Sequence, residues 1–255
     1  PYCYQSVRSG VCDQTYHPYV WYRRQLEFKE SWRGKKVLLH FEGVDYQYDL
    51  WINDAHIGHH CGGSVRSTFE ISNWLHEGSN TICLRVADEQ DWSKPQGKQA
   101  PVSTVDRCWY TQTTGIWKSV WLEIVPEIYL SSIRITPDID RREITLDLEL
   151  NRHVVGTKIH VEVRYHNQLV CQKMLMPQAK RVLEPISVES LDYVDELHYW
   201  TPERPELFDL YITVENSSST YDFVQTYFGM RKIEARNGQI YLNNKPYYLR
   251  LVLDQ

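Results

Sequence analysis

The stretch EITLDLEL, Glu143–Leu150, decides the fold class: Ile144, Leu146, Leu148 and Leu150 alternate with Thr145, Asp147 and Glu149. Side chains of an extended chain point to opposite faces in turn, so this alternation marks a strand with one buried face. IHVEVRY, at 159–165, repeats it with Ile159, Val161, Val163 and Tyr165 on one side. The same signal recurs outward in KVLLHFEGV (36–44), YDLWIND (48–54), TICLRV (81–86), WKSVWLEIV (117–125) and LYITVEN (210–216). Clusters of Gly, Pro, Asn and Asp separate these runs, and no long stretch of helical period competes. The pattern predicts an all-β chain built of sandwiches.

Local signals refine this. LWINDAHIG (50–58) predicts a hairpin turning at Asn53 and Asp54, which tolerate the turn backbone. ISNWLHEG (71–78) predicts one helical turn, capped by Ser72 and ended by Gly78. Residues 87–115 form a polar stretch with little alternation, and an irregular loop of that length in a compact domain is functional or disordered. Pro126 closes the first series of strands, and EIYLSSIRITPDID (127–140) opens a second, which ends near DFVQTYFGMRK (222–232). Beyond it lie a short hairpin about Asn243 and Asn244 and an apolar strand, Tyr247 to Leu253. The expected division is 1–126, 127–228 and 229–255.

The chain has 255 residues, 42% hydrophobic and 24% charged, enough to bury the core of one large or two ordinary domains. Its net charge of -5, with both signs interspersed, lacks the basic footprint that phosphate neutralisation requires, so no nucleic-acid partner is expected. No apolar run approaches the roughly 20 residues that cross a bilayer, and PYCYQSVRSG lacks the apolar stretch of a secretory signal, although Pro1 leaves a signal upstream open. Six cysteines without C-x-x-C or framework spacing point to a reducing compartment and favour a cytoplasmic over a secreted location. Nine Trp and eighteen Tyr suit either interlocking sandwich cores or surfaces that hold flat, hydroxyl-rich ligands. Trp51, Trp117 and Trp121 sit in strand patterns and are expected to pack.

HIGHHCGG (56–63) invites a metal reading, because His59 and Cys61 share one side of an extended chain, but a structural zinc site needs four convergent ligands. Asp138, Asp140 and Glu143 in PDIDRRE lack the spacing and central Gly of a calcium loop and read as a solvated turn. No metal and no cofactor are expected.

Three stretches together resemble glycoside hydrolase family 2, the β-galactosidases, β-glucuronidases and β-mannosidases. FEGVDYQYDLWINDAHIGHHCGGSVRSTFEISNWLHEGSNTICLRVAD (41–88) is similar to the family's sugar-binding domain, with its G-V…N hairpin, G-x-H-x-G-G and G-x-N. TTGIWKSVWLEIVP (113–126) is similar to that domain's closing strand. YWTPERPELFDLYITV (199–214) followed by FGMRKIEARNGQIYLNNKPYYLR (228–250) resembles the end of the family's immunoglobulin-like domain running into its barrel.

The resemblance implies a jelly-roll sugar-binding sandwich, an immunoglobulin-like sandwich and the start of a (β/α)8 barrel, in a fragment that stops in the barrel's first strand. It implies a parent that cleaves terminal β-linked sugars with retention, using two carboxyl groups about 5 to 5.5 Å apart. In the family both come from later barrel strands, so no residue here is expected to be catalytic and the chain alone is expected to be inactive. Carbohydrate and the chain's own C-terminal barrel are the implied partners, with oligomer contacts a role such accessory domains often take. A free-standing carbohydrate-binding module and a pure assembly role are the alternatives.

In the family a loop aspartate six residues before the G-I pair contacts a sugar hydroxyl; here Trp109 holds that place, with Asp106 and Arg107 nearby. Trp92, Trp109 and Tyr110 would offer flat faces to sugar C–H groups, and Asp91, Lys98, Gln99 and Arg107 would bind hydroxyls or a carboxylate. The alternative is that the aromatic residues merely pin the loop. The family's R-G-x-x-x-H run is altered: Arg250, a further candidate, is followed by Leu251, and Gln255 stands at the histidine place.

Overall fold

A computed structural model describes residues 1–89, 93–95, 97–99, 108–188, 198–216 and 220–253. They fall into two compact units, Pro1–Val125 and Pro126–Leu253.

In the first unit the strands are β1 (Tyr19–Glu27), β2 (Lys36–Phe41), β3 (Val44–Asp45), β4 (Gln47–Ile52), β5 (Ala55–Cys61), β6 (Ser67–Glu70), β7 (Ser79–Ala87), β8 (Gly115–Ile116) and β9 (Val120–Val125). They form a sheet ordered β1-β7-β4-β5, a sheet ordered β6-β2-β9 and the short pair β3-β8. All of these pairings are antiparallel. Val37, Leu39 and Phe41 of β2 meet Tyr48, Leu50 and Ile52 of β4 and Leu84 and Val86 of β7 in one buried cluster. Period-two burial along β4 is what the sequence alternation demands: the apolar set faces this core and the polar set faces out.

The second unit contains β10 (Leu130–Asp138), β11 (Glu143–Leu150), β12 (Lys158–Tyr165), β13 (Gln168–Leu175), β14 (Arg181–Ser187), β15 (Phe208–Glu215), β16 (Thr220–Phe228), β17 (Ile233–Arg236), β18 (Gln239–Leu242) and β19 (Lys245–Pro246). The sheets β10-β11-β14 and β13-β12-β15-β16 are the two layers of an immunoglobulin-like sandwich, and β17-β18-β19 is a small separate sheet. The apolar set of the opening motif, Ile144, Leu146, Leu148 and Leu150, is fully buried with Ile159, Val161, Val163, Leu210, Ile212 and Val214.

Both expected hairpins form. The β4-β5 turn places Asn53 at φ 51°, and the β18-β19 turn places Asn243 and Asn244 at φ 51° and 65°, conformations that Asn tolerates better than most residues. Trp121 stacks on His40 at 4.8 Å between centroids, and the Trp117 Nε1–H donates to the Gly63 carbonyl at 2.8 Å, so both indoles pack as expected.

Two local expectations are corrected. The turn at 71–78 is a 3-10 helix over Ser72–Trp74, but Ser72 does not cap it. Its hydroxyl instead accepts from the Val37 N–H at 2.8 Å, tying the turn to β2. Residues 247–253 are not a strand: Tyr248, Leu251, Val252 and Leu253 are 78–91% exposed. An apolar run makes no strand without partners for its backbone groups: the Tyr247 N–H donates to the Ile240 carbonyl at 2.8 Å, and beyond it none of the described strands pairs with the segment.

Candidate functional site

The sequence puts its candidate residues on the connection between β7 and β8, and the described part of that connection shows how its two ends are held. β3 pairs with β8 so that Val44 faces Ile116 and Asp45 faces Gly115. This brings a carboxylate from the G-V-D run under the loop, where Asp45 is only 8% exposed. The Gln99 Nε2–H donates to Asp45 Oδ2 at 2.7 Å, and Gln99 Oε1 accepts from the Thr113 N–H at 2.7 Å. Gln99 and Tyr110 form a parallel bridge, and the Tyr110 N–H donates to the Lys98 carbonyl at 2.7 Å. One amide side chain therefore joins the outgoing limb of the loop, its returning limb and the buried strand β3.

A second carboxylate secures the exit of β7. Asp88 Oδ2 accepts from the Thr114 hydroxyl at 2.6 Å, and the Asp88 carbonyl accepts from the Tyr16 hydroxyl at 3.0 Å. Lys94 donates to the Glu89 carbonyl at 3.1 Å and lies 5.5 Å over the Tyr46 ring.

At Gly63 and Gly115 of the family-like motifs, atoms fill the space a side chain would need. A Cβ on Gly63 would stand 2.5 Å from Asp45 Oδ1. Gly115, at φ 87°, would put a Cβ 2.0 Å from the Tyr22 hydroxyl, which accepts from the Ile116 N–H at 3.2 Å. Gly63 thus leaves room for the Asp45 carboxylate, and Gly115, the register partner of Asp45, leaves room for Tyr22.

Burial, joined by the nearby charge of Asp88, pushes the Asp45 carboxyl up to about 6, against the opposing Gln99 hydrogen bond and Lys94 charge. Asp88 is also raised, again chiefly by burial, with the Thr114 hydrogen bond opposing. For a carboxyl raised in the folded state the native form binds the extra proton, so stability is greatest below about pH 4 and falls as pH rises through about 6. The span from 3.8 to about 6 corresponds to a loss on the order of 3 kcal/mol. Asp45→Asn should remove that dependence. Urea unfolding at pH 4.5 and pH 7.5 should show the variant gaining on the wild type at the higher pH, and parallel curves would refute the assignment.

The candidates divide by position. Gln99 is half-buried, with both ends of its amide engaged at the loop's base. Lys98 and Trp109 are half-buried beside it, and Tyr110 is 51% exposed. Asp91, Trp92, Asp106 and Arg107 lie outside the described residues. Arg250 is exposed in the other compact unit, with Glu203 nearby. Among described residues no group of three or more His, Cys, Asp or Glu side chains could hold a metal. His56 and His59 both turn to Asp49 Oδ1, at 3.2 and 3.3 Å, while Asp138 Oδ1 accepts from the Asp140 and Arg141 N–H groups in a turn. Asp45, Asp88 and Thr114 escaped the sequence reading; the available signal was a carboxylate in an otherwise apolar strand.

These features define a chain of two β-sandwiches, the first with a long connection whose described ends are anchored. The profile described as Glycosyl hydrolases family 2, sugar binding domain, matches residues 8–126, and that described as Glycosyl hydrolases family 2 matches residues 128–231. The chain belongs to glycosyl hydrolase family 2. It is 25% identical over 250 residues to a β-galactosidase of Thermoanaerobacter pseudethanolicus, an alignment covering 93% of this chain and 32% of that protein. It is 26% identical over 238 residues to a β-galactosidase of Photobacterium profundum, covering 90% and 22%. The β-glucuronidase of Parabacteroides merdae shares the fold, with a TM-score of 0.74 and 19% identity over 92% of this chain and 30% of that one. The chain thus spans about a third or less of the length of these relatives, aligned to their N-terminal part. No helix among the described residues is long and apolar enough to cross a membrane.

Proposed function

We propose that this chain is the non-catalytic front part of a retaining glycoside hydrolase acting on terminal β-glycosidic bonds. In this reading residues 1–126 and 127–228 are accessory sandwiches and residues 229–255 lead into a catalytic barrel. The barrel supplies the two carboxyl groups of double displacement, one as nucleophile and one as general acid/base. The loop between β7 and β8 then contributes substrate contacts from outside the barrel.

The observation that carries the reading is the anchoring of that loop. A long polar excursion costs conformational entropy to order, and here the Asp45–Gln99–Thr113 chain and the Asp88–Thr114 bond fix both of its ends. That anchoring places the described loop residues Lys98, Trp109 and Tyr110 at the base of the connection, where they can take part in contacts to a sugar. In this reading Trp109 and Tyr110 provide flat apolar faces, and Lys98, Gln99, Asp91, Trp92, Asp106 and Arg107 provide polar or stacking contacts, while Arg250 is a separate candidate in the second unit.

The relatives named for β-galactosidase and β-glucuronidase activity set the panel to test. The full-length protein should hydrolyse at least one of the 4-nitrophenyl β-galactoside, β-glucuronide and β-mannoside, releasing the β-anomer first by proton NMR. This chain alone should hydrolyse none. Turnover by the isolated chain, or an inverted first product, would refute the proposal.

A further inference from the structure

The outward face of the sheet β1-β7-β4-β5 carries a second constellation that the loop does not use. Its registers put Trp21, Arg85, Asp49 and His59 in one row across four strands, and Arg23, Cys83, Trp51 and His56 in the next. At the spacing of neighbouring strands each row extends roughly 14 Å. The indoles of Trp21 and Trp51 lean across β7 and stack, with centroids 5.7 Å apart and planes 28° from parallel, and the His56 ring meets Trp51 at 5.2 Å. Trp21 is nonetheless 63% exposed.

Beside this aromatic slab stands a fixed set of polar heads. Asp49 accepts from Arg85 at 3.0 Å and contacts both imidazoles, so its carboxylate is held by three partners at 19% exposure. Arg85, His56 and His59 remain about half exposed, leaving their other N–H groups and lone pairs open to solvent.

From this juxtaposition we propose that the sheet face is a binding platform for an oligosaccharide of β-linked pyranose rings. A pyranose has a C–H face that lies on an exposed indole, and a rim of hydroxyls that both donate and accept, matching Asp49 as acceptor, Arg85 as donor and the imidazoles as either. Asp49 offsets Arg85, and the exposed Arg23 of the second row adds a further donor to the rim. A protein partner would have to strip water from the whole charged cluster without replacing its hydrogen bonds, a costly exchange that sugar hydroxyls avoid. Because the side chains come from four different strands of one sheet, the site is prearranged and little ordering entropy opposes binding.

The platform rests on the first sandwich alone, so its test is binding, independent of whether the longer protein hydrolyses anything. Native affinity electrophoresis of this chain through gels containing β-1,4-galactan, xylan or laminarin should show retardation in at least one. The effect should persist in 0.5 M salt, since no charge on the ligand is involved. Trp21→Ala should weaken it about tenfold, and Arg85→Gln should weaken it with the aromatic slab left in place. Melting curves of both variants should match the wild type, because both side chains lie on the outside of the sheet. Absence of retardation in all three gels, or undiminished retardation of Trp21→Ala, would overturn the proposal. So would sedimentation showing a wild-type dimer that Trp21→Ala converts to monomer, which would make the face a contact between copies.

Discussion

Gly115→Ala should collapse the first sandwich. The residue sits at φ 87°, a conformation that costs a residue with a Cβ about 1–2 kcal/mol. The added methyl would fall 2.0 Å from the Tyr22 hydroxyl and 3.0 Å from its ring carbon Cζ. Relieving that overlap would cost a further ~1–3 kcal/mol in shifted side chain and backbone. Displacing Tyr22 also breaks its hydrogen bond from the Ile116 N–H, worth about 1 kcal/mol. The sum, about 3–6 kcal/mol, is a large share of the ~5–15 kcal/mol that holds a domain folded. Urea unfolding should show the loss, and Tyr22→Phe in the same chain should recover part of it by removing the nearest atom. A Gly115→Ala protein as stable as the wild type would mean that the packing at β8 is wrongly described.

Leu148→Ala should cost the second sandwich about 2–5 kcal/mol, the range for emptying a core position that cannot collapse. Leu148 is completely buried in β11, between β10 and β14, with fully buried neighbours Leu146 and Leu150 along the same face. Asp147, one residue away, faces outward and is paired by Arg181 through two hydrogen bonds at 2.7 and 2.6 Å. Asp147→Ala should cost less, about 1 kcal/mol, because it empties no core position and leaves an Arg181 that is 66% exposed and solvated. The contrast between adjacent residues is a direct readout of strand register: similar losses would mean that the alternation of β11 does not define its buried face.

That alternation is why so much of the fold was legible. In β4, β11, β12 and β15 each apolar residue of the pattern turns inward, and the turns at Asn53 and at Asn243–Asn244 follow from the backbone freedom of Asn. What failed was context. Tyr247 to Leu253 has the composition of a strand, but beyond the Tyr247 N–H, which donates to the Ile240 carbonyl, none of the described strands pairs with it. Ser72 has the chemistry of a cap, yet its hydroxyl is claimed by Val37, 35 residues earlier. The loop's anchors were hidden for the same reason: Asp45 and Gln99 are 54 residues apart, and a carboxylate–amide contact leaves no periodic trace in sequence. Glycine spacing was the visible shadow of this arrangement, since Gly63 and Gly115 lie against Asp45 and Tyr22 respectively.

The proposal gives the loop between β7 and β8 a place at a sugar pocket, with Trp109 among its contacts. Its most direct test is kcat/KM of Trp109→Ala in the full-length protein, on whichever 4-nitrophenyl glycoside the wild type hydrolyses. The expected result is a fall of about tenfold or more, as loss of a stacked contact of ~1.5 kcal/mol gives, with the melting temperature holding well above the assay temperature. An unchanged kcat/KM in that variant would contradict it.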